Sequence, residues 1–336
     1  MTINNFITDL ITDKSPHTPT TEDKNIIQYE GIEKYIYKKL NSSKYRATKT
    51  TEDYDKLVRE KISYCVKNRL PIHVDLSTGA TKNPRAVTAP GIDWAEVFNV
   101  AFIREYLKPI AAAYKYGVLL DYFSVAIFEE KVNSISQKDV DLYDNQLNEL
   151  IKVYQNYLPE NLILRYRRLS DLTTKEVIYP ILDEKVIELR KDWEKMSEEE
   201  KKEKIFRAER NVAFGKDEPN YDERILNAIL HHEAFGGECW AKAVTPVWNE
   251  LGDISLGHRY TDGWAIHVRS AAASTINFWS GVGLLIKKGE NYIPTVLSPN
   301  QFNSIKNKLK LEDISFFGSN QTLRNKLNRV GWYNSD

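Results

Sequence analysis

Residues 70–77 read LPIHVDLS, and residues 93–123, beyond a short loop, read DWAEVFNVAFIREYLKPIAAAYKYGVLLDYF. The two stretches spell strand, helix, strand. In the first, Ile72, Val74 and Leu76 alternate with His73, Asp75 and Ser77, the period of two that a strand requires. In the second, Asp93 is followed three positions later by Glu96, a capping-box-like start to a helix over Asp93–Tyr114. Pro109 is expected to kink or divide that helix, because it offers no N–H and its ring crowds the preceding turn. Gly117 ends it. Val118–Phe123 is then a short buried strand carrying Asp121.

The pattern repeats downstream. Asp139–Tyr157 is predicted helical, with Leu142, Leu147, Leu150 and Ile151 on its inner side. In Asn161–Arg168, Leu162, Leu164 and Tyr166 oppose Ile163, Arg165 and Arg167, so this segment is a third strand. Strands alternating with helices predict an α/β domain around parallel strands. Ligands in such sheets sit at the carboxyl ends of strands, which here are Ser77–Arg85, Asp121–Ser124 and Arg165–Arg168. Upstream, Tyr29–Leu40 and Asp53–Asn68 are predicted helices, the second with Leu57, Ile62 and Val66 as its apolar stripe. Residues 1–25 are polar and predict a flexible leader. The remainder, 26–336, reads as a single α/β catalytic-type domain.

Within that domain, residues 184–210 form a charged helical insertion. From Arg190 to Arg210, 15 of 21 residues are charged, which predicts a solvated helical arm. Asp222 opens another helix that Gly236-Gly237 should end or kink. Ile225, Ile229 and His232 share one of its faces, which places His232 toward the core and His231 and Glu233 elsewhere.

Gly252–Gly283 reads as consecutive strands, an antiparallel C-terminal section with a turn at residues 261–263. Trp264, Ile266 and Val268 point one way, and His267 and Arg269 point the other. A third run spans Ser274–Leu285, in which Gly281 and Gly283 permit close backbone approach. An imidazole beside a guanidinium suits an anionic or acyl-bearing ligand, since Arg supplies a fixed fork and His a proton near neutral pH. A solvated sheet face would show the same pattern.

The chain has 336 residues, with 47 basic and 47 acidic side chains and a net charge of zero. That balance excludes nucleic acid as the main partner, because its binding depends on phosphate neutralisation. No apolar run has the length of a membrane helix, and the acidic N-terminus is unlike a signal peptide. Two cysteines, Cys65 and Cys239, make neither a disulfide framework nor a metal cluster. These features predict a reduced, cytoplasmic protein.

Several chemistries lack their signatures. His231-His232-Glu233 lacks the i, i+4 histidines of a zinc helix, so no metal is expected. No GxGxxG follows the first strand and no GxSxG is present, so no cofactor is expected either. The loop Thr78–Arg85 lacks the second glycine of a Walker loop. It can hold an anion through Lys82, Arg85 and backbone amides, or serve as a surface turn. Lys82 is a candidate amine nucleophile, since a buried or cation-flanked lysine can act as one.

The order of these pieces resembles the isonitrile synthase family, the pyoverdine- and dityrosine-biosynthesis proteins. The run KNPRAVTAPGIDWAEVFNVAFIREYL, residues 82–107, is similar to that family's Lys-Ser-Pro-Asn-like loop and Pro-Asp-x-x-Glu helix start, through Lys82, Asn83, Pro84, Asp93 and Glu96. Glu233, Ala234 and Phe235 resemble a second motif, Ser255 with His258 a third, and Asn277-Phe278-Trp279-Ser280 a closing one. The likeness spans about residues 60–300. It departs from the family at Gly257, inserted before His258, at Asp121-Tyr122-Phe123-Ser124, and at the closing motif, which lacks a histidine.

The resemblance implies a Rossmann-like α/β fold without metal. It also implies that an amino acid's amine condenses with the ketone of a pentulose phosphate and emerges as an isonitrile. The small-molecule partners would then be an amino acid and a sugar phosphate. Under that expectation Lys82 and Arg85 hold or activate the carbonyl, and His258 or His267 moves protons. Arg165, Arg167, Arg259 and Arg269 are candidates for phosphate and carboxylate, with Asp121 and Trp279 also at the substrate. The alternatives are a glycosyl- or other group transferase with Asp121 near a sugar, and a non-catalytic small-molecule-binding relative.

Overall fold

The structure is a computed structural model that describes residues 1–50, 52–79, 81–244, 254–259, 263–264 and 266–335. Four helices come first: α1 (Ile3–Thr12), α2 (Thr21–Tyr29), α3 (Ile32–Leu40) and α4 (Glu52–Asn68). Then follow β1 (Ile72–Thr78), α5 (Trp94–Ala113), β2 (Val118–Ser124), α6 (Glu129–Asn133), α7 (Gln137–Gln155) and β3 (Leu162–Arg168). Helices α8 (Lys175–Lys195), α9 (Glu198–Ala208) and α10 (Tyr221–Ala234) lead to β4 (Ile254–Ser255). A short pair, β5 (His258–Arg259) and β6 (Gly263–Trp264), precedes β7 (Ala273–Ser274), β8 (Val282–Lys288), β9 (Asn291–Leu297), α11 (Pro299–Ile305), β10 (Lys310–Asp313), α12 (Arg324–Leu327) and β11 (Arg329–Asn334).

The first three predicted strands, joined by β4, form a four-stranded parallel sheet in the order β3-β2-β1-β4. Its register aligns Asp75 with both Asp121 and Ser255, and Asp121 with Arg165. The alternation read from the sequence sorts its two faces. Ile72, Val74, Leu120, Leu162 and Leu164 enter the main core, while His73, Asp75, Asp121 and Arg165 form the other face. The exposed side of edge strand β3 is covered by Gln155, whose amide accepts from Leu164 N (2.9 Å) and donates to Leu162 O (3.4 Å). Such pairing blunts an edge that could otherwise recruit another strand. A second, mixed sheet runs β10-β11-β8-β9-β7.

Helix α5 lies against both sheets. Fifteen of its twenty residues are buried, which explains why it is apolar nearly all round rather than on one stripe. The capping box at Asp93 and Glu96 forms as predicted. Pro109 does not divide the helix. The carbonyl it leaves unpaired, Glu105 O, accepts from Tyr45 OH at 3.3 Å instead, so a tertiary donor replaces the missing helical one.

Residues 1–25, expected to be a flexible leader, are mostly helical. Ile3, Ile7 and Ile11 are buried in the main core. Arg104, 1% exposed, donates to Leu10 O (3.0 Å) and Ile11 O (2.9 Å). These are carbonyls at the C-terminal end of α1, where a cation is favoured. On α4 the buried stripe is Tyr54, Val58, Ile62 and Cys65, turned one position from the predicted one. On α7, Leu142 is exposed and Val140, Tyr143 and Tyr154 join the buried side.

The charged insertion is two helices, α8 and α9, separated by a capping box at Ser197 and Glu200. Ile178 and Leu182 of α8 are buried, and α9 buries nothing. Helix α10 does not stop at Gly236-Gly237; the chain continues as a π-helical stretch, Phe235–Val244.

Among the described residues, the strands expected over Gly252–Gly283 are two-residue pieces up to Ser274, followed by a 3-10 turn over Phe278–Ser280, and the third expected run is a strand only from Val282 onward. The pair β5–β6 is local and antiparallel, as the sequence predicts, but other partners lie far away in sequence: Arg46 bridges Val268, and Ala273 pairs with Thr295. The turn predicted at 261–263 falls largely outside the described residues. Gly283 fits the expected close approach, since a Cβ there would lie 2.0 Å from Ala95 N. No helix among the described residues is long and apolar enough to cross a membrane.

Candidate functional site

A cavity of about 270 Å³ opens at the carboxyl ends of β1 and β2. The strand order reverses direction at β1, with β2 on one side and β4 on the other. Crevices at such switch points are the usual ligand sites of α/β sheets. Ser77, Thr78, Asn83 and Asn277 supply polar groups, and Trp279 an aromatic wall. Glu129, Asn133 and His232 complete the opposite side.

The loop after β1 is locked in place by Lys82. Its side chain is 0% exposed. Nζ donates to Glu96 Oε1 (3.0 Å) and Oε2 (3.1 Å) and to Phe278 O (3.0 Å), and lies 3.0 Å from Asp93 Oδ1. Asn83 N donates to Trp279 O (2.8 Å). The helix-starting carboxylates that the sequence identified therefore hold the lysine, and the lysine holds the Phe278–Trp279 segment. With all its donors occupied, Lys82 sits behind the cavity wall and not in it. Burial pushes the Glu96 carboxyl up to about 7, although the neighbouring Lys82 pulls it down.

The other predicted residues are scattered. Arg85 is exposed and lines an adjoining groove with Phe206 and Arg210. Asp121 is buried and bound twice by Arg165, Nε to Oδ1 at 2.7 Å and NH2 to Oδ2 at 2.8 Å, with His73 Nε2 at 2.9 Å from Oδ2. Burial raises this carboxyl, but His73 and Arg165 outweigh it and hold Asp121 below its ordinary value. Asp121 and Arg165 thus satisfy each other on the sheet face. Arg167 lies on that face too, half-buried and partnered.

His267 and Arg269 lie together, but in a separate groove of about 440 Å³. There Arg269 Nε donates to Arg46 O (3.0 Å), and His267 Nδ1 is 3.5 Å from Thr48 Oγ1. Asn277 borders both that groove and the cavity. The side chains of His258 and Arg259 lie outside the described residues; their backbone pairs with Trp264 and Gly263. Of the predicted residues, Trp279 alone is seen to line the cavity.

Helix α10 reverses the expected roles of its histidines. His231 is buried, with Nδ1 2.7 Å from Asn227 O, and His232 faces the cavity. Glu129 and Asn133 were not singled out by the sequence. They are four apart on α6, and Asn133 Nδ2 donates to Glu129 Oε2 at 2.8 Å. Burial raises the Glu129 carboxyl to about 7 against that hydrogen bond. The only sequence cue was position: α6 follows the carboxyl end of β2, where function concentrates. Among the described residues, no group of three or more His, Cys, Asp or Glu stands together to hold a metal ion.

The architecture is a Rossmann-like α/β fold: a parallel four-stranded sheet flanked by helices, joined to a separate mixed sheet. Among solved structures, the crystal structure of the PvcA protein from Pseudomonas aeruginosa shares it, with a TM-score of 0.56 over 84% of this chain and 96% of that one. Sequence identity is 15%, so the likeness is one of fold. It agrees with the distant resemblance to the isonitrile synthase family read from the sequence. No family model and no curated protein matches the chain.

Proposed function

We propose that the chain is a small-molecule biosynthetic enzyme of the isonitrile synthase kind, in which an amino acid's amine condenses with the ketone of a pentulose phosphate. The observation that carries this reading is the cavity at the ends of β1 and β2, polar on the loop side and closed by Trp279. Its place in the sheet is where an α/β enzyme binds its substrate, and the fold likeness to PvcA supports the same class.

In this reading Ser77, Thr78, Asn83 and Asn277 orient the hydroxyls of the sugar. Trp279 covers the reacting end and excludes water. Arg85 and Arg210, exposed in the adjoining groove of about 460 Å³, attract the anionic end of a substrate. Lys82 acts as a brace, because its amine has no room to form a bond to substrate. The groove at His267 and Arg269 is a surface feature apart from the chemistry.

The test is direct. The purified protein is incubated with single amino acids and a pentulose phosphate, and products are read by mass spectrometry. An isonitrile derived from one amino acid is expected. Failure with every amino acid, under conditions where the protein is folded, would count against the reading.

A further inference from the structure

We propose that Glu129 is the proton-transfer residue of the cavity and that Asn133 positions its carboxyl group. This rests on the condensation reading above. Three observations carry it. Glu129 lines the cavity at the end of the β2 segment, half-buried. Asn133, one turn further along α6, fixes Oε2 at 2.8 Å and leaves Oε1 for a substrate. Val125, Phe128, Val132 and Phe235 line the same cavity.

The contrast with Glu96 decides between the two carboxyls. Both are raised to about 7 by burial. Glu96 is fully engaged by Lys82, Asp93 N and Tyr143 OH, and does not reach the cavity. Among the described residues Glu129 has no ion-pair partner, and Asn133 alone opposes the effect of burial. Of the other side chains lining the cavity, His232 on α10 is the one that is ionisable. Lys204 and Glu233 pair with each other in the neighbouring pocket, which also touches Asn133. A carboxyl poised near the working pH can give and take a proton in one turnover.

The step balances on this chain's own residues. The amine nitrogen bonds to the ketone carbon as the C=O π bond opens, and the nitrogen's proton passes to the oxygen. Glu129, protonated, then donates to the resulting hydroxyl, which leaves as water while the nitrogen lone pair forms C=N. The carboxylate takes the remaining N–H proton. Amine and ketone become imine and water, and Glu129 returns to its starting state.

Two measurements test this, one without any substrate. Difference infrared spectra between wild type and Glu129→Gln should show a protonated carboxyl that titrates near pH 7. Asn133→Ala should move that midpoint upward, because it removes a hydrogen bond to the ionised form. In turnover, Glu129→Gln should lower kcat by roughly 10²–10⁴-fold with ketose affinity unchanged, and should abolish the pH dependence near 7. A carboxyl ionised throughout pH 5–8, or full kcat in Glu129→Gln, overturns the proposal. If wild type binds no ketose and makes no product, the condensation reading fails, and the infrared titration alone judges Glu129. If Glu129→Gln does not fold, difference spectra between wild type and Asn133→Ala across the pH titration decide: an unmoved carboxyl midpoint overturns the assignment.

Discussion

Gly79 and Trp279 stand in contact, so that a Cβ on Gly79 would fall 2.0 Å from the indole Cδ1. The glycine after β1 and the tryptophan before β8 therefore specify one another, and both line the cavity. Gly79→Ala is expected to displace the indole and to cost about 1–3 kcal/mol of stability, as overpacking does. Ketose affinity should fall with it. A Gly79→Ala protein with wild-type melting and affinity would show that Trp279 does not shape the site.

Lys82 should prove to be a structural residue of unusual weight. Lys82→Met leaves Glu96 and Asp93 buried without their cation, a loss of about 3–5 kcal/mol for a broken buried pair. The combined change Lys82→Met with Glu96→Gln should recover part of this, since the Glu96 charge goes too. Chemical denaturation of the three proteins measures it. A single variant as stable as wild type would contradict the brace.

Acid should weaken the tie between Asp13 and Lys108 that holds the end of α1 to α5. Burial raises the Asp13 carboxyl, but the hydrogen bonds from Lys108 and Ser15 outweigh it and hold it well below the carboxylate range. A depressed folded value stabilises the protein above the unfolded value of about 3.9 and is lost as pH falls through the folded one. Asp13→Asn should flatten stability in that acid range and lower it at neutral pH by roughly 0.5–2 kcal/mol. Equal acid sensitivity in both proteins would place the effect elsewhere. Removing residues 1–13 should be worse, since it also strips Ile3, Ile7 and Ile11 from the core.

Three strands of the parallel sheet are legible because each declares itself locally; the fourth, β4, reads in the sequence as part of an antiparallel section but pairs parallel with β1. Ile72, Val74 and Leu76 alternate cleanly, and Asp93 with Glu96 announces the helix that follows. The C-terminal third was less legible for a physical reason. Burial does alternate at Ile266, His267, Val268 and Arg269 as read, but the partner of Val268 is Arg46, more than two hundred residues earlier, and no local turn encodes that. His232 lies off the core because α10 packs on α8, α9 and α6 at once, so burial spreads from Ile225 and Ile229 to Ala228, Leu230 and His231 and not to His232. Glu129 is one of two adjacent glutamates, Glu129 and Glu130, that no motif marks out. Only the folded cavity sets it apart.

The groove at His267 and Arg269 provides a control. Arg269 is exposed and holds a backbone carbonyl. Arg269→Ala and His267→Ala should each change stability by about 0.5 kcal/mol or less, as surface changes do. Calorimetric titration should find ketose binding unaltered. Affinity lost in both variants, with the fold intact, would move the substrate to that groove.

The most direct test of the account is a crystal structure of the protein with a pentulose phosphate bound. The prediction is density for the sugar in the cavity at the ends of β1 and β2, its ketone facing Glu129 and Trp279. Density in the His267–Arg269 groove, with that cavity empty, would contradict it.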